Sequence, residues 1–208
     1  MGVDPRPRTA LDPVGRRGSS ATPSQTIGPF FGYALPFTGG GEVAPVGDGR
    51  TITVHGRVLD GAGAPVPDAL LEFWQAAPDG TRAGAPGSLR RDQVTGAVLG
   101  RDGVDFTGFG RVATDADGRY VLRTLPPPVE APYLAVAVFA RGLLHHLFTR
   151  AYLPGCGSPG DPDDALLAAL APERRETLRA RAERDGVYRF DVRLQGAPDR
   201  ETVFLDFH

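Results

Sequence analysis

Lysine is absent: all 23 basic residues of this 208-residue chain are arginine. A coding bias toward Ala, Gly, Arg and Pro accounts for this more simply than selection for guanidinium chemistry. Cysteine is almost absent too. The lone Cys156 excludes an internal disulfide framework and any Cys-based zinc site. No apolar run approaches the ~20 residues of a membrane span. The N-terminus lacks an apolar stretch resembling a signal peptide, so cytoplasm is the expected location. Charge of one sign is also missing. A formal net charge of −2 gives no electrostatic case for binding nucleic acid or an anionic membrane. There is no Gly-x-Ser-x-Gly elbow, no phosphate loop and no dinucleotide fingerprint.

What is plentiful is glycine (28) and proline (20), interspersed between apolar runs. That composition means many turns in one domain large enough for a real core. Residues 51–75 carry two alternating runs around a reversal rich in Gly, Pro and Asp. Ile52, Val54 and Val58 share one parity, and Leu71 and Phe73 share one parity further on. Period two makes each a half-buried strand. Residues 114–120 repeat the acidic Gly turn before a strand at 119–124, which Pro126–Pro128 stop. Asp115 and Asp117 fit an Asx turn better than a carboxylate pair or calcium loop. Residues 133–140 are continuously apolar, predicting a strand buried on both faces. Alternation resumes at 145–153. Residues 163–184 form the strongest helical stretch, with Asp163 as N-cap and Pro172 dividing it into two helices. Closing strands are expected at 187–194 and 202–207. Residues 1–21 read as a mobile arm before a domain at 22–208. The 76–105 loop is long enough to be functional or an interface element.

Several of these segments resemble intradiol ring-cleaving dioxygenases. They are Thr22-Pro-Ser-Gln-Thr-Ile-Gly-Pro-Phe-Phe, Leu71-Glu-Phe-Trp-Gln, the run from Phe106 to Gly118, Phe139-Ala-Arg-Gly, and Tyr188-Arg-Phe-Asp-Val-Arg-Leu-Gln-Gly. The resemblance spans about Thr22 to the C-terminus. It implies an all-β, prealbumin-like β-sandwich with a short helical insertion before the C-terminal strands. It implies oxidative ring opening of protocatechuate to 3-carboxy-cis,cis-muconate in aromatic catabolism. It also implies a paired β subunit that holds non-haem iron(III), the αβ units assembling into a higher oligomer.

The chain departs from the iron-bearing pattern of two Tyr and two His at every ligand. The first Tyr position, eight residues after Trp74, holds Arg82. The second falls on Val129 or Glu130. The His pair falls within 134–137, which supplies only Leu, Ala and Val. A ferric site needs several hard or borderline donors aimed at one point. His145 and His146, adjacent on a predicted strand, should point to opposite faces and so cannot readily chelate one ion. His55 falls on the polar parity of its strand, His208 is terminal, and Tyr120 and Tyr152 read as core or rim aromatics.

The expectation is therefore a non-iron α-type subunit, silent alone, with no metal ligand and no catalytic residue of its own. In the family, this kind of chain lends an N-terminal Thr-x-Gly-Pro segment and an Arg to the substrate pocket. Motif by motif, those are Thr26, Gly28, Pro29 and Arg141. Two rival readings stay open: a stand-alone prealbumin or carboxypeptidase-regulatory-like binding module, and a self-sufficient enzyme with unusual ligands.

Overall fold

The computed structural model describes residues 26–82, 89–101, 103–156 and 164–207. The expected arm at 1–21, and Asp161, Asp163 and His208, lie outside them. In chain order the described elements are the helix α1 (Phe31–Ala34) and the strands β1 (Ile52–Leu59), β2 (Leu70–Trp74), β3 (Leu89–Arg91), β4 (Val98–Arg101), β5 (Phe109–Ala113), β6 (Arg119–Thr124), β7 (Tyr133–Phe139) and β8 (Leu147–Tyr152). Helices α2 (Ala165–Ala169) and α3 (Pro172–Glu176) follow, then strands β9 (Arg181–Arg184), β10 (Val187–Arg189) and β11 (Val192–Arg193).

Two sheets face each other across a single principal core. One joins β1 to β6, β10 and β11, with β9 at its edge; the other runs β5-β2-β7-β8. The alternating residues seen in the sequence supply the inner faces. Val54 and Val58 come from β1, Leu71 and Phe73 from β2, Tyr120 and Leu122 from β6. Burying each such side chain contributes about 1.5–3 kcal/mol. The two acidic turns use one device. Asp60 Oδ1 accepts from Ala62 N and Ala64 N, and Asp115 Oδ1 accepts from Asp117 N and Arg119 N. Both are Asx turns.

The structure corrects several expectations. β1 and β2 are not bonded neighbours: after a tight reversal that pairs Leu59 with Pro65, the chain crosses to the opposite sheet. The 76–105 loop contains the β3–β4 hairpin. The helical stretch ends at Glu176. Its continuation is extended because Leu178 and Ala180, two residues apart, are both buried, with Tyr152 N donating to Leu178 O and Ala180 N to Tyr152 O. A strand puts i and i+2 on one face; a helix would not. The cap of α2 is Asp164, which accepts from Leu166 N and Leu167 N. The expected closing strand at 187–194 is broken at Phe190 and Asp191, and 202–207 contributes only an isolated bridge between Leu205 and Phe148. The break sits over Gly56, where a Cβ would meet Phe190 O at 1.8 Å, so only glycine allows that approach. The Tyr120 hydroxyl donates to the same carbonyl.

Candidate functional site

β7 is not buried on both faces. Leu134, Val136 and Val138 point into the core, whereas Tyr133, Ala135 and Phe139 on the other parity are only half-buried. Register explains what the outward parity builds. Ala135 lies between Trp74 of β2 and Arg150 of β8; Ala137 lies between Glu72 and Phe148. Two methyl groups flanked by large side chains leave a trough along the sheet, with a volume of about 360 Å³.

Rings line much of it. Tyr133 and Tyr152 pack with centroids 5.4 Å apart, Trp74 lies 4.5 Å from Phe109, and Phe148 lies 5.3 Å from Phe207. At one end the His146 ring stacks on Phe139 and meets Phe148 edge-on. The charged groups are held inside the chain. Glu72 pairs with Arg111, whose Nε lies 2.8 Å from the carboxylate. The Arg150 guanidinium lies over the Tyr133 ring at 4.2 Å and donates to the Tyr152 hydroxyl and to Asp164. Burial pushes the Tyr152 phenol up to about 12, against the opposing pull of Arg150.

The positions set against iron ligands do not suit a metal. Ala135 and Ala137, the trough-facing pair of 134–137, carry no donor atom. Arg82, Val129 and Glu130 are exposed and do not line the trough. Among the described residues no group of three or more His, Cys, Asp or Glu is placed to hold an ion. His145 and His146 precede β8 rather than lying within it. His145 Nδ1 bonds the His146 carbonyl, and the His146 ring belongs to the aromatic stack. His55 is half-buried against Glu183, 2.9 Å away.

The four residues proposed from the motifs fall in neighbouring segments. Ile27 N donates to Leu143 O at 2.8 Å, which lays 26–29 beside the turn that follows Arg141. Thr26 and Pro29 are exposed, and Gly28 adopts a φ of +70° that disfavours residues with a side chain. Just beyond, Phe31 of α1 is buried 6.0 Å from Phe139. Arg141 is 66% exposed, and its Nε lies 2.8 Å from Asp68. The cation at the end of β7 therefore pairs with a carboxylate just ahead of β2.

Sequence reasoning missed the trough itself. Its signal was present: Tyr133, Ala135, Ala137 and Phe139 share one parity, a large-small-small-large pattern that predicts a hollow in a sheet face.

The family model described as Dioxygenase matches residues 40–154. The chain is 42% identical to the protocatechuate 3,4-dioxygenase alpha chain of Burkholderia cepacia, over 89% of this chain and 96% of that one. It is 35% identical to the alpha chain of Pseudomonas putida with the same coverage of both. The beta chain of the Burkholderia cepacia enzyme is 29% identical over 71% of this chain and 66% of its own. An intradiol ring-cleavage dioxygenase from Tetranychus urticae has the same fold, with a TM-score of 0.51 at 14% identity, covering 80% of this chain and 86% of that one. No described helix is long and apolar enough to cross a membrane.

Proposed function

The chain belongs to the intradiol dioxygenase family, and from that premise we propose that it is the non-iron α subunit of a protocatechuate 3,4-dioxygenase. The observation that carries this is the near end-to-end identity of 42% with an alpha chain, in a chain whose residues 134–137, the run set against the histidine ligands, are only Leu, Ala and Val. The iron(III) that supplies the ring-opening chemistry would be held by a β partner, whose relative this chain also matches. The product is 3-carboxy-cis,cis-muconate, and the assembled enzyme serves aromatic catabolism through the β-ketoadipate pathway.

What this chain supplies is binding and orientation. The Arg141 fork recognises the substrate carboxylate, which loses its hydration on entering a pocket and needs charged donors in exchange. The guanidinium pairs with Asp68, its Nε 2.8 Å from the Asp68 carboxylate, and at 66% exposure it stays open to the substrate carboxylate. The segment of Thr26, Gly28 and Pro29 forms a wall against the substrate ring. Phe30 and Tyr33, 76% and 83% exposed, supply apolar surface for the β partner to cover.

Co-expression with an iron-type β chain tests the reading. The αβ complex opens protocatechuate, and the chain purified alone shows neither stoichiometric iron nor a tyrosinate-to-iron absorption band. Near-stoichiometric iron in the isolated chain, or failure to pair with any iron-type β chain, overturns it.

A further inference from the structure

The other sheet carries a basic cluster on its outer face. On β1 the inward parity is Ile52, Val54 and Val58, so Thr53, His55 and Arg57 point outward. Register then sets Arg57 directly opposite Arg119 of β6, and Arg189 of β10 directly opposite Arg181 of β9. Like charges directly opposite each other destabilise a ladder, and this face has two such pairs. A hollow of about 490 Å³ opens on the same face, within the range of small-molecule sites. Four guanidiniums line it, those of Arg57, Arg119, Arg184 and Arg189, against one carboxylate, Glu183.

The carboxylates nearby leave part of that charge unanswered. Glu183 lies 2.9 Å from His55 Nε2 and 3.8 Å from Arg181. Asp191 accepts from the Arg57 backbone N–H and pairs with Arg189. Asp117 approaches Arg119 only to 4.0 Å, and both side chains are more than half exposed. Asp185, in the turn between β9 and β10, does not line the hollow. The Arg57 and Arg184 guanidiniums have no ion pair or hydrogen bond with any described residue. Arg184 stands on the rung of Thr53 and Val187, four residues along β1 from Arg57. Their backbones are thus about 13 Å apart along the strands. A compact anion can meet one of them; an anion with charged groups spaced along its length can meet both.

We infer that this hollow binds a small, elongated anion carrying two or more carboxylates, held by Arg57 and Arg184 with Arg119 beside them. A carboxylate between Arg57 and Arg119 replaces their mutual repulsion with two attractions. The planar fork of each guanidinium suits it, since it bonds a carboxylate with two parallel hydrogen bonds. Resting on the α-subunit reading, the ring-opened product is an anion of this class: it carries three carboxylates on a six-carbon chain, where the substrate carried one. The hollow lies on the opposite sheet from the trough, so the two can be filled independently.

The test is calorimetric titration of tricarballylate into the purified αβ complex, with phosphate as the compact control and acetate as the monovalent one. One saturable equivalent per αβ unit is expected for tricarballylate at about 20 mM ionic strength, weakening several-fold at about 200 mM. Arg57→Gln and Arg184→Gln should each weaken it about fivefold or more, with kcat and KM for protocatechuate unchanged within about twofold. Purified 3-carboxy-cis,cis-muconate should compete with tricarballylate in the wild type. Absence of saturable binding, as when the β chain covers this face, overturns the inference. So does equal affinity in the wild type and both variants, which would put the anion elsewhere, or binding of phosphate or acetate as tight as that of tricarballylate. Turnover in the same samples reads the α-subunit assignment separately, since a complex that opens protocatechuate but binds no tricarballylate sinks only the anion site.

Discussion

Replacing Arg141 with alanine separates substrate recognition from packing. In the structure the Arg141 side chain is 66% exposed and forms an ion pair with Asp68, its Nε 2.8 Å from the carboxylate. An exposed ion pair of this kind contributes at most about 1 kcal/mol to folding. Its loss should lower Tm by no more than about 2–4 °C in a chain of this size. Recognition is a larger quantity. A hydrogen bond to a charged group is worth about 1.5–3 kcal/mol, and 1.4 kcal/mol is a tenfold change. Arg141→Ala should therefore reduce kcat/KM for protocatechuate by about 10- to 150-fold, mainly through KM when the contact is equal in ground and transition states. Catechol, which lacks the carboxylate, should be converted almost as before. Asp68→Asn keeps the guanidinium and removes only its partner, so it should change kcat/KM by less than about threefold. The assays are steady-state kinetics on both substrates, thermal melting, and size-exclusion chromatography of the αβ complex. Equal losses on protocatechuate and catechol, or separation of the subunits, would assign Arg141 to the interface and refute the recognition role.

Gly28 allows a second comparison. At φ +70°, Gly28→Val strains the backbone by about 1–2 kcal/mol, whereas Gly28→Asn tolerates that conformation. Val should raise KM for protocatechuate several-fold with iron content unchanged and Asn should raise it less; identical KM values for both variants and wild type would make the segment purely structural. The alkaline limb of stability is a third test. Burial raises the phenol pKa of Tyr120, Tyr152 and Tyr188, Tyr152 to about 12. In the unfolded chain these groups ionise near 10, so the unfolded state binds fewer protons above that pH and their stabilisation fades between about pH 10 and 12. Tm should be level between pH 7 and 9 and fall above 10, less steeply in Tyr152→Phe; a flat profile to pH 11.5 would contradict it.

Much of the sandwich was legible because its causes are local. Alternation at Ile52, Val54 and Val58, the strand at Arg119–Thr124, and the Asx turns at Asp60 and Asp115 depend on side-chain parity and on bonds between residues two to four apart. The absence of donors at 134–137 is likewise a matter of residue identity alone. Other features depended on partners far along the chain. The helical composition of 178–184 yielded to the burial of Leu178 and Ala180 beside Tyr152, an edge that exists only once β8 is in place. Arg141 meets Asp68 and Ile27 meets Leu143 because separate segments converge at one end of β7. The trough needs Trp74, Ala135 and Arg150 on one rung and Glu72, Ala137 and Phe148 on the next. Parity tells which residues point outward from a strand, but cross-strand register decides which of them stand side by side. Register is settled by the packing of the whole sheet, and so the hollow became visible only in the tertiary structure.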